Sequence, residues 1–237
     1  ASVPEVLGEL DLGGVPGLVE TFVDGKPATM AILGSERVGR EVLRSIADWL
    51  ERWNAHTAVE RQIESEDVQK LVLAPAERLA DELPEHYVTN LRRLVDRCVG
   101  ARAPFVAAHS DLTAANVLLM DGAHIGVVDW HGAQAESLPL GDLAYAAADI
   151  ASGVGGYRDR PAGYAEAFGG GGAFDELTRS LVTRTAGDLR LDPAMVDLCL
   201  QACWLLHADD ERRDADGSRG GRPFLAILRQ AAEQLRE

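Results

Sequence analysis

Three side chains with oxygen donors stand close together in the middle of the sequence: Asp111, Asn116 and Asp129, spaced by five and thirteen residues. Phosphoryl transfer from a nucleotide calls for such a set. A carboxylate orients the attacking hydroxyl, while an amide oxygen and a second carboxylate hold magnesium against the phosphates. Magnesium prefers hard oxygen ligands and keeps several waters, so one amide and one carboxylate are a sufficient contribution from a protein. The carboxylate that meets the hydroxyl need not be a strong base, because the transition state is largely dissociative and positioning carries most of the catalysis.

The surrounding residues predict a frame for these groups. Phe105-Val106-Ala107-Ala108 reads as a strand ending at His109, and Asn116-Val117-Leu118-Leu119-Met120 reads as the next one. Asp111 then falls on the loop between them. Asp121-Gly122 is a hairpin signal that returns the chain into a strand over Ile125 to Val128, whose end carries Asp129. Asn116 and Asp129 are therefore expected on adjacent paired strands, near enough to share one cation.

On these residues the segment resembles the catalytic core of the aminoglycoside phosphotransferase and choline kinase group, relatives of the protein kinases. His109-Ser110-Asp111-Leu112 is similar to their His-Gly-Asp-Leu loop, and Leu140-Gly141-Asp142-Leu143-Ala144 after Pro139 is similar to their Pro-x-x-Asp-Leu-Ala helix start. The match is dense over residues 105 to 150 and thin elsewhere. The resemblance implies an α+β, protein-kinase-like fold: a mostly helical large lobe with a small catalytic β-hairpin region, plus a remnant of the small β lobe. It implies Asp111 as catalytic base, Asn116 and Asp129 as magnesium ligands, ATP or GTP as phosphoryl donor, and His109 as a brace behind the loop. Asp142 is expected to be structural, an acid capping a helix over 142 to 151. Ser110 stands where the group usually has Gly, Thr113-Ala114-Ala115 replaces the common His-Pro-Gly, and His131 follows Trp130 where an acid is frequent. These departures leave the acceptor unassigned.

A kinase-like site also needs a Gly-rich loop over the phosphates and a strand Lys. The chain has two lysines, Lys26 and Lys70, and neither is placed like that residue. The opening stretch accounts for this. Residues 4 to 10 and 17 to 25 read as two strands joined by a turn at Gly13 to Pro16. By resemblance they are similar to the last strands of the small lobe, with Thr21, Phe22 and Val23 as the hinge whose backbone meets adenine. The expected division is residues 1–25 as the end of the nucleotide-binding lobe and 26–237 as the helical catalytic and acceptor-binding lobe. An upstream segment is expected to complete the small lobe. Gly13-Gly14-Val15-Pro16-Gly17 is a turn and not a phosphate cradle, since no Gly-Lys-Ser/Thr and no helix start follows it.

The remaining sequence reads as supporting helices. Val38, Val42, Ile46, Trp49, Leu50 and Trp53 recur at helical spacing, followed by predicted helices near 60 to 73 and from Glu85 to Val99. Glycines at 153 to 156 and 169 to 172 mark loops. Helices near 173 to 187, 193 to 209 and 223 to 236 close the chain, with residues 209 to 222 as a long polar loop. Cys199, Cys203 and His207 lie four apart on one helix face. They are not a metal site: eight residues of helix rise about 12 Å, too far for both ends to reach one zinc. The cysteines are expected in the core, with His207 at the acceptor cleft.

At 237 residues and 46% apolar content the chain can bury a substantial core. No apolar run approaches a membrane span and no signal-peptide pattern opens the chain, so the expected compartment is the cytoplasm. The net charge of −15 argues against nucleic acid as a partner. It favours a cationic small-molecule acceptor, for which Glu136, Asp209, Asp210 and Glu211 are candidate contacts. The expected activity is γ-phosphoryl transfer from ATP or GTP to a hydroxyl of an aminosugar, sugar or amino alcohol. The alternative is a truncated or inactive kinase-like domain that binds a small molecule or partner chain.

Overall fold

The computed structural model describes residues 2–121, 124–214 and 222–235. Gly122 of the predicted hairpin turn, residues 215–221 of the predicted polar loop and residue 236 of the last predicted helix lie outside the described residues. Among the described residues the architecture is α+β, with three small antiparallel sheets and a large helical body.

Strands β1 (Val6–Asp11) and β2 (Pro16–Glu20) form a hairpin. β2 ends at Glu20, short of the predicted strand end at 25. Beyond it Thr21 extends the ladder by donating its N–H to the Glu5 carbonyl at 2.9 Å and accepting the Glu5 N–H on Oγ1 at 2.8 Å. A second sheet joins β3 (Lys26–Pro27) to the hairpin of β6 (Val117–Leu119) and β7 (Ile125–Val127). The third sheet runs β4 (Val59–Gln62), β5 (Arg102–Ala108), β8 (Gln134–Ser137).

Helix α1 (Ala28–Ile32) is followed by α2 (Glu36–Thr57), capped by Ser35. The predicted apolar stripe of α2 is the buried one, with Val42, Ile46, Trp49 and Leu50 in the core. The region predicted as one helix over 60 to 73 divides. Its first residues are β4, because Arg61 lies over the Phe105 ring at 3.4 Å and holds Asp67 with two bonds of 2.7 and 2.8 Å. Helix α3 (Ser65–Val68) starts only after that, passes into a π-helical turn over Gln69–Leu73, and continues as α4 (Ala74–Arg78). Helix α5 (Glu85–Cys98) then leads into β5.

Helix α6 (Gly141–Val154) is the centre of the body. Every residue from Asp142 to Gly153 is buried, and small side chains let α2, α7, α8 and α9 approach it. Helix α7 (Arg160–Phe168), absent from the sequence reading, starts on Asp159, which accepts the Ala162 N–H, and ends at Gly169. Helices α8 (Ala173–Asp188), α9 (Pro193–Asp214) and α10 (Pro223–Gln234) complete the body. α9 runs five residues past its predicted end at 209. Asp209 and Asp210 pair with Arg213 at helical spacing, and such i,i+3 and i,i+4 pairs support continued helix where a loop was expected. Glu211 caps α10 by accepting the Phe224 and Leu225 N–H groups. No helix among the described residues is long and apolar enough to cross a membrane.

The crossing of α6 and α7 depends on Gly163, where an added Cβ would stand 2.6 Å from the backbone nitrogen of Ser152. Ala is ordinarily the better helix former by about 1 kcal/mol. Gly163→Ala is nonetheless expected to destabilise the fold by about 2 kcal/mol through overpacking. In α8, where a Cβ at Gly187 meets nothing within 4 Å, Gly187→Ala is expected to stabilise it by up to about 1 kcal/mol. Urea unfolding of the two variants checks the opposite signs.

Candidate active site

The loop between β5 and β6 carries the first two chemical side chains as one hydrogen-bonded unit. Asn116 Nδ2 donates to the Asp111 backbone carbonyl at 2.9 Å and to Asp111 Oδ2 at 3.1 Å. Both partners are acceptors, which fixes the amide orientation and leaves Asn116 Oδ1 as an acceptor. Asn116 and Asp129 stand just outside the ends of β6 and β7, joined by a ladder bond from the Val128 N–H to the Asn116 carbonyl at 3.0 Å. Asp129 adopts a left-handed conformation, φ 67°, and its Oδ1 lies 2.9 Å from His131 Nδ1. Among the described residues no protein donor holds Asn116 Oδ1 or Asp129 Oδ2. That pair of hard oxygens fits magnesium, which takes its remaining ligands from phosphates and water.

The loop is held from below by α6. Asp142, which does not cap its own helix as expected, accepts the His109 N–H at 2.7 Å and the Ser110 N–H at 2.8 Å. Burial pushes the Asp142 carboxyl up from its ordinary pKa, and the two N–H bonds pull against that. Those bonds keep Ser110 at φ 67°, a conformation that favours the Gly usual at this position in the group it resembles. Seven residues on and therefore on the same helix face, Asp149 accepts the Ala114 N–H at 2.9 Å, the Tyr157 hydroxyl at 3.0 Å and Arg160 Nη1 at 3.2 Å. Burial raises the Asp149 pKa as well, against the same donors. The sequence reading missed Asp149. Its signal is an acid two helical turns after Asp142 in a run otherwise made of small and apolar residues.

His109 braces the loop from the other side. The Asp111 N–H donates to its Nδ1 at 3.3 Å, so the ring proton is on Nε2, which donates to the Val128 carbonyl at 2.9 Å. The ring packs on Trp130, centroids 4.8 Å apart, and Trp53 lies 5.0 Å beyond and stacks on Trp49. Trp53 Nε1 donates to the Ala107 carbonyl at 2.7 Å, tying α2 to β5. The residues named for the hinge sit apart from this unit. Phe22 is 87% exposed, while Val23 is buried against Gly126, where an added Cβ would stand 2.5 Å from Val23 Cγ1.

A cleft of about 400 Å³ opens beside Ser110, between the loop, the π-helical turn and α9. Of the four acids named as acceptor contacts, Asp210 lines it. Asp209 is wholly buried in a two-bond pair with Arg78, Glu136 pairs with Arg61, and Glu211 caps α10. His207 lines this cleft, its ring stacked on Tyr145 at 3.9 Å and on Phe224 at 5.2 Å. Cys199 and Cys203 are buried, with Cys203 Sγ 3.5 Å from the Gly141 carbonyl. Burial holds the His207 pKa down to about 4, so the unfolded chain binds a proton there that the folded one refuses. Stability is expected to be full above about pH 6.5 and to fall as the pH drops toward 4, and His207→Gln is expected to flatten this part of the profile. Ser110→Gly should be neutral or stabilising by up to about 1 kcal/mol, whereas Asp142→Ala should cost about 3 kcal/mol by leaving two buried N–H groups unpaired. Thermal unfolding across that pH range checks all three.

A search of curated proteins finds no match to the chain. Among solved structures, it is similar to an aminoglycoside phosphotransferase from Streptomyces rimosus in complex with ADP and streptomycin. The identity is 21%, over 85% of this chain and 74% of that one, with a TM-score of 0.48. It is also similar to a glucosamine kinase, at 16% identity over 99% of this chain and 66% of that one, with a TM-score of 0.48. The model of the phosphotransferase enzyme family matches residues 1–180, which include Asp111, Asn116, Asp129 and both α6 acids, and the chain belongs to that family.

Proposed function

We propose that this chain transfers the γ-phosphoryl group of ATP or GTP to a hydroxyl of a small molecule, a sugar, an aminosugar or an amino alcohol. The observation that carries the reading is the Asp111–Asn116 unit on a loop pinned by Asp142 and Asp149, next to a cleft of small-molecule size. Asp111 would accept a hydrogen bond from the acceptor hydroxyl and take its proton as the oxygen–phosphorus bond forms. The bond from Asn116 Nδ2 keeps one carboxylate oxygen fixed, which favours a single orientation for the other. Asn116 and Asp129 would hold magnesium, which when bound supplies charge neutralisation at the phosphates. At the hinge, the Thr21 N–H is already used by Glu5, so the backbone at Phe22 and Val23 is the part left to meet adenine.

A further segment is proposed to cover the β1–β2 hairpin. Val6, Leu7, Leu10 and Leu18 are all exposed there, more apolar surface than a two-stranded hairpin ordinarily presents to water. The same observation supports the second reading, a binding module without turnover. Lys26 lies in β3 and Lys70 at the acceptor cleft, so neither lysine stands where a kinase-like site has its phosphate Lys. The cytoplasm is the proposed compartment, supported by three free buried cysteines.

Steady-state kinetics with a panel of sugars, aminosugars and amino alcohols, paired with calorimetric nucleotide titrations, separates the roles. Asp111→Ala is expected to lower kcat by about 100-fold or more while leaving nucleotide affinity nearly unchanged. Asp129→Ala is expected to weaken magnesium-nucleotide binding itself. Equal, small effects of both substitutions would refute the assignment.

A further inference from the structure

The cleft beside Ser110 is richer in cations than the molecule around it. The chain as a whole is at −15, yet the cleft is lined by three cations, Lys70, Arg78 and Arg213. The acids around it are mostly committed. Asp142 spends both carboxylate oxygens on the loop, one on the His109 N–H and one on the Ser110 N–H. Asp209 is buried behind the lining, held by Arg78 through two bonds of 2.7 Å and lying 3.2 Å from Arg213. Asp210 pairs with Arg213. With Asp142, Asp209 and Asp210 set against the three cations the formal charges balance, but every one of these ions except Lys70 is held by a protein partner.

Lys70 is exposed and makes no hydrogen bond or ion pair among the described residues. The nearby carboxylate of Asp67, which feels its charge, is already taken by Arg61. Lys70 also stands on the π-helical turn, an irregularity that interrupts α-helix on both sides. Such turns are rare and recur at functional sites, since they re-aim side chains at a cost in backbone regularity. The neutral polar lining, His207 and Gln134, suits hydroxyl groups.

We propose that the acceptor held in this cleft is an anion: a hydroxylated compound with a carboxylate or phosphate group, such as a sugar acid or sugar phosphate. Lys70 meets the charged group while a hydroxyl lies toward Asp111. This names the substrate class of the site described under the proposed function and rests on that reading. This proposal replaces the cationic acceptor expected from net charge, for a physical reason. Net charge sums over the whole surface, whereas the carboxylates of this cleft are all engaged and a cationic acceptor would meet the unpaired Lys70 ammonium.

Calorimetric titration of gluconate, glucose 6-phosphate, glucose and glucosamine into the chain, with magnesium-ATP titrated separately, tests the proposal. At least one of the two anions is expected to bind about tenfold or more tighter than glucose and glucosamine, the factor one charge-assisted hydrogen bond supplies. Lys70→Glu is expected to abolish that preference while the unfolding midpoint stays unchanged. Tightest binding of glucosamine, or an anion preference that survives Lys70→Glu, would overturn the proposal. So would failure of all four to bind a chain that binds magnesium-ATP. An anion preference lost in Lys70→Glu supports it even where magnesium-ATP does not bind, so the two readings fail separately.

Discussion

Asp142, buried at the start of α6, accepts two backbone N–H groups from the loop that carries Asp111, and this pair of bonds keeps Ser110 in a conformation a serine otherwise avoids. Seven residues later Asp149 accepts the Ala114 N–H. The loop is thereby fixed at both ends by one helix face. The N–H groups of His109, Ser110, Asp111, Thr113, Ala114 and Asn116 all find protein acceptors, and Asp111 and Asn116 meet each other where separate loop side chains would wander. An unpaired N–H in that position would cost about 1–3 kcal/mol, so the carboxylates and the loop geometry stand or fall together.

That arrangement passes its rigidity to the rest of the fold. α6 can bring two carboxylates into the interior because its other residues are small and let four helices surround it. Gly163 permits the tightest of those approaches. On the opposite side of the loop, His109 and Trp130 connect the hairpin of β6 and β7 to the tryptophans of α2. The site residues are thus held between the central helix and an aromatic layer, while the cleft beside Ser110 opens toward α9 and the π-helical turn.

Much of this was legible in the sequence where a residue type has one dominant physical use. The apolar run at Phe105, the hairpin return into Ile125 and the six apolar positions of α2 each specify their elements, and the spacing of Asp111, Asn116 and Asp129 places them on one frame. Illegible parts depend on contacts between distant residues. β4 is a strand because Arg61 finds Phe105, Asp67 and Glu136, none of which the local periodicity records. α9 overruns its predicted end because Asp209 to Asp214 reads as polar loop until its acids and arginines are set at helical spacing. Helix α7 was readable in principle, from Asp159-Arg160-Pro161 and the closing Gly169, but short length hid its period. Asp142 was predicted as a helix cap; its partners, His109 and Ser110, lie more than thirty positions away in the chain.

Charge followed the same division. The sum over the sequence is strongly acidic, whereas the cleft sets Lys70 and two arginines against Asp142 and Asp210, a local balance that composition averages away. The claim on which the account turns is that Asn116 and Asp129 form a magnesium-nucleotide site above the pinned loop. Calorimetric titration of ATP, and separately GTP, into the chain with magnesium and then with excess chelator tests it most directly. The account predicts binding of at least one nucleotide that requires magnesium. Binding of equal strength without the metal, or none up to millimolar nucleotide, would contradict it.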